Sequence, residues 1–134
     1  MKISTMIIAL LFVLINKTAT AAENNFDCVK DSTTQMQIDS CASDKYKQTD
    51  KEMNELYFKL NSTLKNENLK QKSLLQSQRN WLKTRDSDCQ LYTTISGGGS
   101  INNFINLECL SEKTILRINF LKSLYKCETI PNEC

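Results

Sequence analysis

Apolar and polar positions repeat at three and four along most of this chain, and no stretch alternates convincingly with period two. Between Ser43 and Lys65, the residues Tyr46, Thr49, Met53, Leu56, Tyr57, Leu60 and Leu64 fall on one face, while Lys, Glu and Asn fill the other. That pattern predicts an amphipathic helix about 30 Å long. Ser32 to Ala42 predicts a short helix or helical turn before it, with Ser32 or Thr33 as its cap. The Lys65 to Asn68 stretch interrupts the repeat without Gly or Pro and predicts a short turn between antiparallel helices. A second helix is expected from about Leu69 to Tyr92, with Leu74, Leu75, Gln78, Trp81, Leu82, Arg85 and Cys89 on its inner face. A third begins near Ile101 and turns Phe104, Leu107, Leu110 or Ser111, Thr114, Ile115, Ile118, Leu121 and Tyr125 inward. Between them lies Ser96, Gly97, Gly98, Gly99 and Ser100, where the glycines release the backbone and Ser100 is placed to cap the third helix.

The N-terminus changes the picture of where this bundle works. An uninterrupted apolar run from Ile7 to Ile15 follows Met1 and Lys2 and leads into Ala19-Thr20-Ala21, the small-residue pattern of a signal-peptidase site. Residues 1–21 are therefore expected to be a signal peptide and residues 22–134 a single mature domain, periplasmic or secreted. The run is far shorter than the roughly 20 apolar residues of a membrane-spanning helix, so no membrane insertion is expected. Lys2 and Lys17 are the charged residues within 1–21, and without them acidic and basic residues balance. A chain with no net charge gives no support to a nucleic-acid partner.

Six cysteines in an exported chain of this size point to a disulfide framework. Six allow fifteen pairings, and spacing favours neighbours: Cys28 with Cys41, Cys89 with Cys109, and Cys127 with Cys134. Metal binding is disfavoured because neither a C-x-x-C pair nor any histidine is present. The expected fold class is therefore all-α, a small disulfide-linked helical bundle built on an antiparallel helical hairpin plus a third helix.

Candidate chemistry is sparse. The absence of histidine removes Ser-His and Cys-His nucleophilic pairs. Gly97 to Gly99 lacks the lysine and the preceding strand of a phosphate-binding loop. Glu52 with Glu55 lies on the wet side of its helix, and Asp86 reads as a local partner for an arginine or lysine, so neither supplies carboxylates facing across a cleft. The chain is read as a non-enzyme without a cofactor.

Its most specific segment is Gln78-Arg79-Asn80-Trp81 with Arg85-Asp86 and Cys89, which resembles the Q-R-x-W…R-D-x-x-C pattern of the LprI-type lysozyme inhibitor family. Two further blocks carry the same resemblance. Thr34 to Ala42 is similar to T-Q-x-E-M-N-x-C-A, with Gln37, Ile38 and Asp39 in place of the family's Glu, Met and Asn. Tyr46, Asp50, Met53-Asn54 and Tyr57 are similar to Y-x-x-x-D-x-x-L-N-x-x-Y. The resemblance covers most of the mature chain, with Cys127 and Cys134 as an addition. It implies an exported protein that binds and blocks lysozyme or another peptidoglycan-cleaving hydrolase. Apart from the resemblance, the flexibility and exposure expected of the Ser96 to Ser100 loop make it the element expected to enter the enzyme's cleft. The matching residues Gln35, Tyr46, Asp50, Asn54, Tyr57, Arg79, Trp81 and Arg85 are expected to turn inward as a structural polar network. The alternative is an envelope interaction or immunity-like protein whose partner is not lysozyme. Neutral charge leans that way, because animal lysozymes are strongly basic and a dedicated inhibitor would gain from an acidic surface.

Overall fold

The computed structural model describes residues 27–134, so the expected signal segment lies outside the described residues. Three helices follow one another: α1 (Gln35–Thr63), α2 (Asn68–Ile95) and α3 (Asn102–Thr129). No strand occurs among the described residues. The side-chain ties fix the course of the chain. Gln71 of α2 reaches the Asn61 carbonyl of α1, and Arg85 reaches Asp50, so α1 and α2 run antiparallel. Lys45 pairs with Glu108, and Lys122 with Glu52, so α3 returns parallel to α1.

The short first helix and the long one merge into a single element. Nothing between Ala42 and Ser43 breaks a helix, and α1 runs through both. Its cap is Thr34 instead of Ser32 or Thr33: Gln37 N–H donates to Thr34 Oγ1 at 3.3 Å, and Gln37 Oε1 accepts from the Thr34 N–H at 3.2 Å. This is a reciprocal capping box, spelled by Thr34-x-x-Gln37 in the sequence. Gln37 and Asp39, which differ from the family pattern, are thus both engaged, since Gln35 Nε2 donates to Asp39 Oδ1 at 2.8 Å. The expected cap at Ser100 does not form. Ile101 occupies the cap position of α3, one residue later, without a side-chain hydrogen bond.

The apolar core occupies the half of the bundle nearest the α1–α2 turn. Met53, Leu60, Leu64, Leu74, Ile118 and Leu121 are buried together, with Leu56, Tyr57, Trp81, Leu124 and Tyr125 packed against them. Each fully buried aliphatic side chain of this kind contributes about 1.5–3 kcal/mol. Leu75 and Ile115, expected inward, are exposed instead. Each adjoins a buried neighbour in sequence, Leu74 or Thr114, and one residue along a helix turns the side chain by about 100°.

Towards the glycine loop the interior changes character. Ala42, Ser111 and Thr114 are completely buried, and these small residues let α3 approach α1 more closely than it approaches α2. The hairpin partners α1 and α2 are held less by backbone proximity than by side chains reaching between them. Three disulfides complete the framework: Cys28–Cys41, Cys89–Cys109 and Cys127–Cys134. The first ties the segment before α1 to that helix, the second joins α2 to α3 beneath the loop, and the third folds the tail against the end of α3.

Candidate functional site

Two arrangements stand out, one inside the bundle and one at its surface. The inner one is built around arginine. Arg85, on α2, donates from Nη1 to Asp50 Oδ1 and to Thr114 Oγ1, both at 3.3 Å, and from Nε to Asp86 Oδ1 at 2.9 Å. Asn54 holds the other Asp50 oxygen at 2.9 Å. The guanidinium also lies over the rings of Tyr46 and Trp81. Its pKa is raised above the ordinary arginine value: burial opposes the charge most strongly, yet the Asp86 and Asp50 carboxylates outweigh it.

A second arginine enters this interior that the sequence reading passed over. Arg117 of α3 is 7% exposed, donates from Nε to Gln78 Oε1 at 3.0 Å and from Nη2 to Ser77 Oγ at 3.1 Å, and stacks against Trp81 and Phe120. No carboxylate pairs with it among the described residues, and burial lowers its pKa. Its position, three after Thr114 and four before Leu121, is on the inner face by spacing alone. The charge hid it.

The residues expected to form this network divide. Tyr46, Asp50, Asn54, Trp81, Arg85 and Asp86 meet around the Arg85 guanidinium, although Asn54 and Asp86 do so from the exposed side. Tyr57 packs on the apolar core, and Gln35 is engaged only with Asp39 at the start of α1. Arg79 is exposed and takes no part. It follows Gln78 directly, so the inward turn of Gln78 carries Arg79 out into solvent.

The surface arrangement is the loop and the groove below it. Gly97, Gly98 and Gly99 all have positive φ, at 98°, 79° and 98°. Side chains there would be strained, and around Gly97 and Gly99 a Cβ would meet nothing within 4 Å. The loop is thus a narrow exposed tip without side chains at its centre, with Ser96 and Ser100 at its ends exposed as well. Below it, α2 and α3 flank an open groove of about 520 Å³ lined by Asp88, Tyr92, Phe104, Glu108, Glu112 and Leu116, among others, with Cys109 of the Cys89 bridge also in its wall. Lys113 pairs with Asp88 at 2.8 Å and Lys45 with Glu108 at 2.6 Å. Neither Glu108 nor Glu112 stood out in the sequence. Their signal was the helical spacing of Glu108, Glu112 and Leu116 opposite Asp88 and Tyr92.

Among the described residues no group of three or more His, Cys, Asp or Glu is placed to hold a metal ion, and no helix is long and apolar enough to cross a membrane. The arrangement is that of a cross-linked helical scaffold presenting a loop and a groove. The chain belongs to the lysozyme inhibitor LprI family, whose model matches residues 28–121 and so takes in α1, α2 and most of α3. The Cys127–Cys134 clip lies past the matched residues. No curated protein and no solved structure gives a significant match.

Proposed function

We propose that this chain is an exported inhibitor that binds lysozyme or a related peptidoglycan-cleaving enzyme and blocks its cleft without catalysing a reaction itself. The observation that carries this is the family match over residues 28–121. A disulfide framework suits an oxidising compartment outside the cytoplasm, in keeping with a signal peptide at residues 1–21. The Ser96 to Ser100 loop is the element proposed to enter the enzyme: a tip with three central glycines is thin enough for a cleft that normally takes a sugar chain. The α2–α3 disulfide at its base limits the ordering cost of binding.

The test is lysis of a bacterial cell-wall suspension by an animal lysozyme in the presence of the oxidised protein, with a binding titration against the same enzyme. Inhibition saturating near one inhibitor per enzyme supports the proposal. Absence of binding to several lysozyme types would overturn it in favour of an envelope protein with another partner.

A further inference from the structure

The acidic groove between α2 and α3 has properties that neither the fold nor the loop requires. Its lining combines the rings of Tyr92 and Phe104 with three carboxylates, Asp88, Glu108 and Glu112, and one cation, Lys113, so that carboxylates outnumber cations there. Asp88 is taken by Lys113 and one oxygen of Glu108 by Lys45. Glu112 is exposed and has no ion pair among the described residues. The other oxygen of Glu108, Oε1, is buried with no hydrogen-bond partner, and so is Oδ1 of Asn102 at the loop end of the same helix. Buried polar atoms are ordinarily satisfied. Both orphans here are acceptors on the first turns of α3; Glu108 belongs to the groove lining, whereas Asn102 lies outside it.

Apolar surface accompanies the charge. Tyr92 and Leu116, both in the groove lining, are 59% and 69% exposed, and Ile95, one turn beyond Tyr92, is 74% exposed. Exposed aromatic and aliphatic groups beside carboxylates are the setting in which an arginine or lysine is held, through its apolar stem, its charge and the faces of aromatic rings together. An anionic group would face Glu112 uncompensated, and a purely apolar one would leave that carboxylate without a partner. The Cys89–Cys109 bridge joins the two walls, so the groove is formed before anything binds.

We propose that this groove seats a basic side chain, arginine or lysine, presented by the enzyme that the chain binds, making it a second contact beside the glycine loop. The partner's identity rests on the function proposed above; the preference for a cation rests on the groove. Charge balance over the whole mature chain then conceals a local acidic contact able to attract a basic enzyme.

The experiment follows backbone amide shifts of the oxidised protein by NMR during two titrations, one with an animal lysozyme and one with a short arginine-rich peptide amide. Both are repeated on Glu112→Gln, whose unchanged melting would show that an exposed, unpaired carboxylate has been removed without harm to the fold. The expected result is shifts concentrated at residues 88–92 and 104–116 with affinity reduced about five- to tenfold in Glu112→Gln. Groove shifts and loss of affinity in the variant with either cationic probe support the inference. Groove shifts with the peptide but no lysozyme binding would keep the cation site and sink lysozyme as the partner. Lysozyme binding that shifts other residues, with Glu112→Gln binding equally well, would sink the groove and leave the inhibitor reading standing. Binding of neither probe overturns both.

Discussion

Arg85 on α2 is bonded to Asp50 on α1, Nη1 to Oδ1 at 3.3 Å, and the same nitrogen reaches Thr114 on α3. One guanidinium therefore joins all three helices where the apolar core gives way to polar packing. Arg85→Ala would strip Asp50 and Asp86 of their cation and leave Thr114 Oγ1 without its donor. Asp50 keeps some contact with water, which moderates the penalty. A loss of about 2–4 kcal/mol is expected, or a melting temperature lower by roughly 10 °C. Arg85→Lys should recover only part, because one ammonium cannot satisfy three partners in a fixed fork. Unaltered melting of Arg85→Ala would move this residue from the scaffold to the contact surface.

Arg117 should behave differently, because among the described residues no carboxylate pairs with it. Arg117→Met keeps volume and removes a charge with no counter-ion among those residues, but it orphans Gln78 Oε1, the acceptor of its Nε–H. The single variant is expected to lose about 1–3 kcal/mol for that acceptor. Adding Gln78→Leu removes the acceptor too and should restore most of the loss. Equilibrium urea unfolding of the two single variants and the double gives the coupling. Strictly additive losses would show that the hydrogen bond is not what holds Arg117.

These two arginines mark what the sequence revealed and what it concealed. Spacing placed Gln78, Trp81, Arg85 and Cys89 on one face, and all four lie inside or half inside the bundle. The same spacing qualified Arg117, which sits amid Thr114, Ile118 and Leu121, but the inner face was read from its apolar positions and the arginine was passed over. It is in fact part of that face, its guanidinium sandwiched between Trp81 and Phe120. Arg79 failed in the opposite direction, since motif membership suggested burial where helical geometry forbade it. The break placed at Ser43 had no residue to enforce it, whereas the turn before α2 and the glycine loop both formed. The groove was illegible for another reason: it is made by two helices whose relative rotation is set by the Cys89–Cys109 bridge and by contacts with α1, which no single helix encodes.

The disulfides should differ in worth. Cys89–Cys109 spans 20 residues and Cys89 is fully buried, whereas Cys127–Cys134 spans 7 and folds back an exposed tail. Replacing both Cys89 and Cys109 by Ala should cost about 2–4 kcal/mol. Replacing Cys127 and Cys134 by Ser should cost less than about 1 kcal/mol, because much of what that loop constrains is the tail itself. Urea midpoints of the two double variants provide the comparison, and equal losses would mean that the tail clip supports the bundle beyond its own segment.

Tyr46 gives a pH signature for the polar half. Its phenol is raised above the ordinary value of 10.0, chiefly by burial, with Asp50 and Asp86 adding and Arg85 opposing. A raised phenol means that the folded protein keeps a proton the unfolded chain has lost, so this contribution is complete below pH 10 and is lost as pH rises through the folded value. Stability should therefore fall more steeply above pH 10 in the wild type than in Tyr46→Phe, with the Tyr46 ring resonances titrating above that pH. Ionisation at or below pH 10 would show that the ring is not held in the environment described.

Gly98 separates the loop as connector from the loop as contact. At φ 79° a side chain is strained, while a Cβ would come only within 3.8 Å of Asn102 Nδ2, an ordinary contact. Gly98→Val should therefore fold, at a cost of about 1–2 kcal/mol from backbone strain, and its melting curve establishes that it is folded at the temperature of the assay. If the tip enters an enzyme cleft, the added branched side chain will meet the walls, and inhibition of cell-wall lysis should fall at least about tenfold, equivalent to some 1.4 kcal/mol of binding. Gly97→Ala, where nothing stands within 4 Å, reports the strain of a positive φ with the smallest possible side chain. Full inhibition by a folded Gly98→Val would reduce the loop to a link between α2 and α3 and leave the groove beneath it as the surface to mutate.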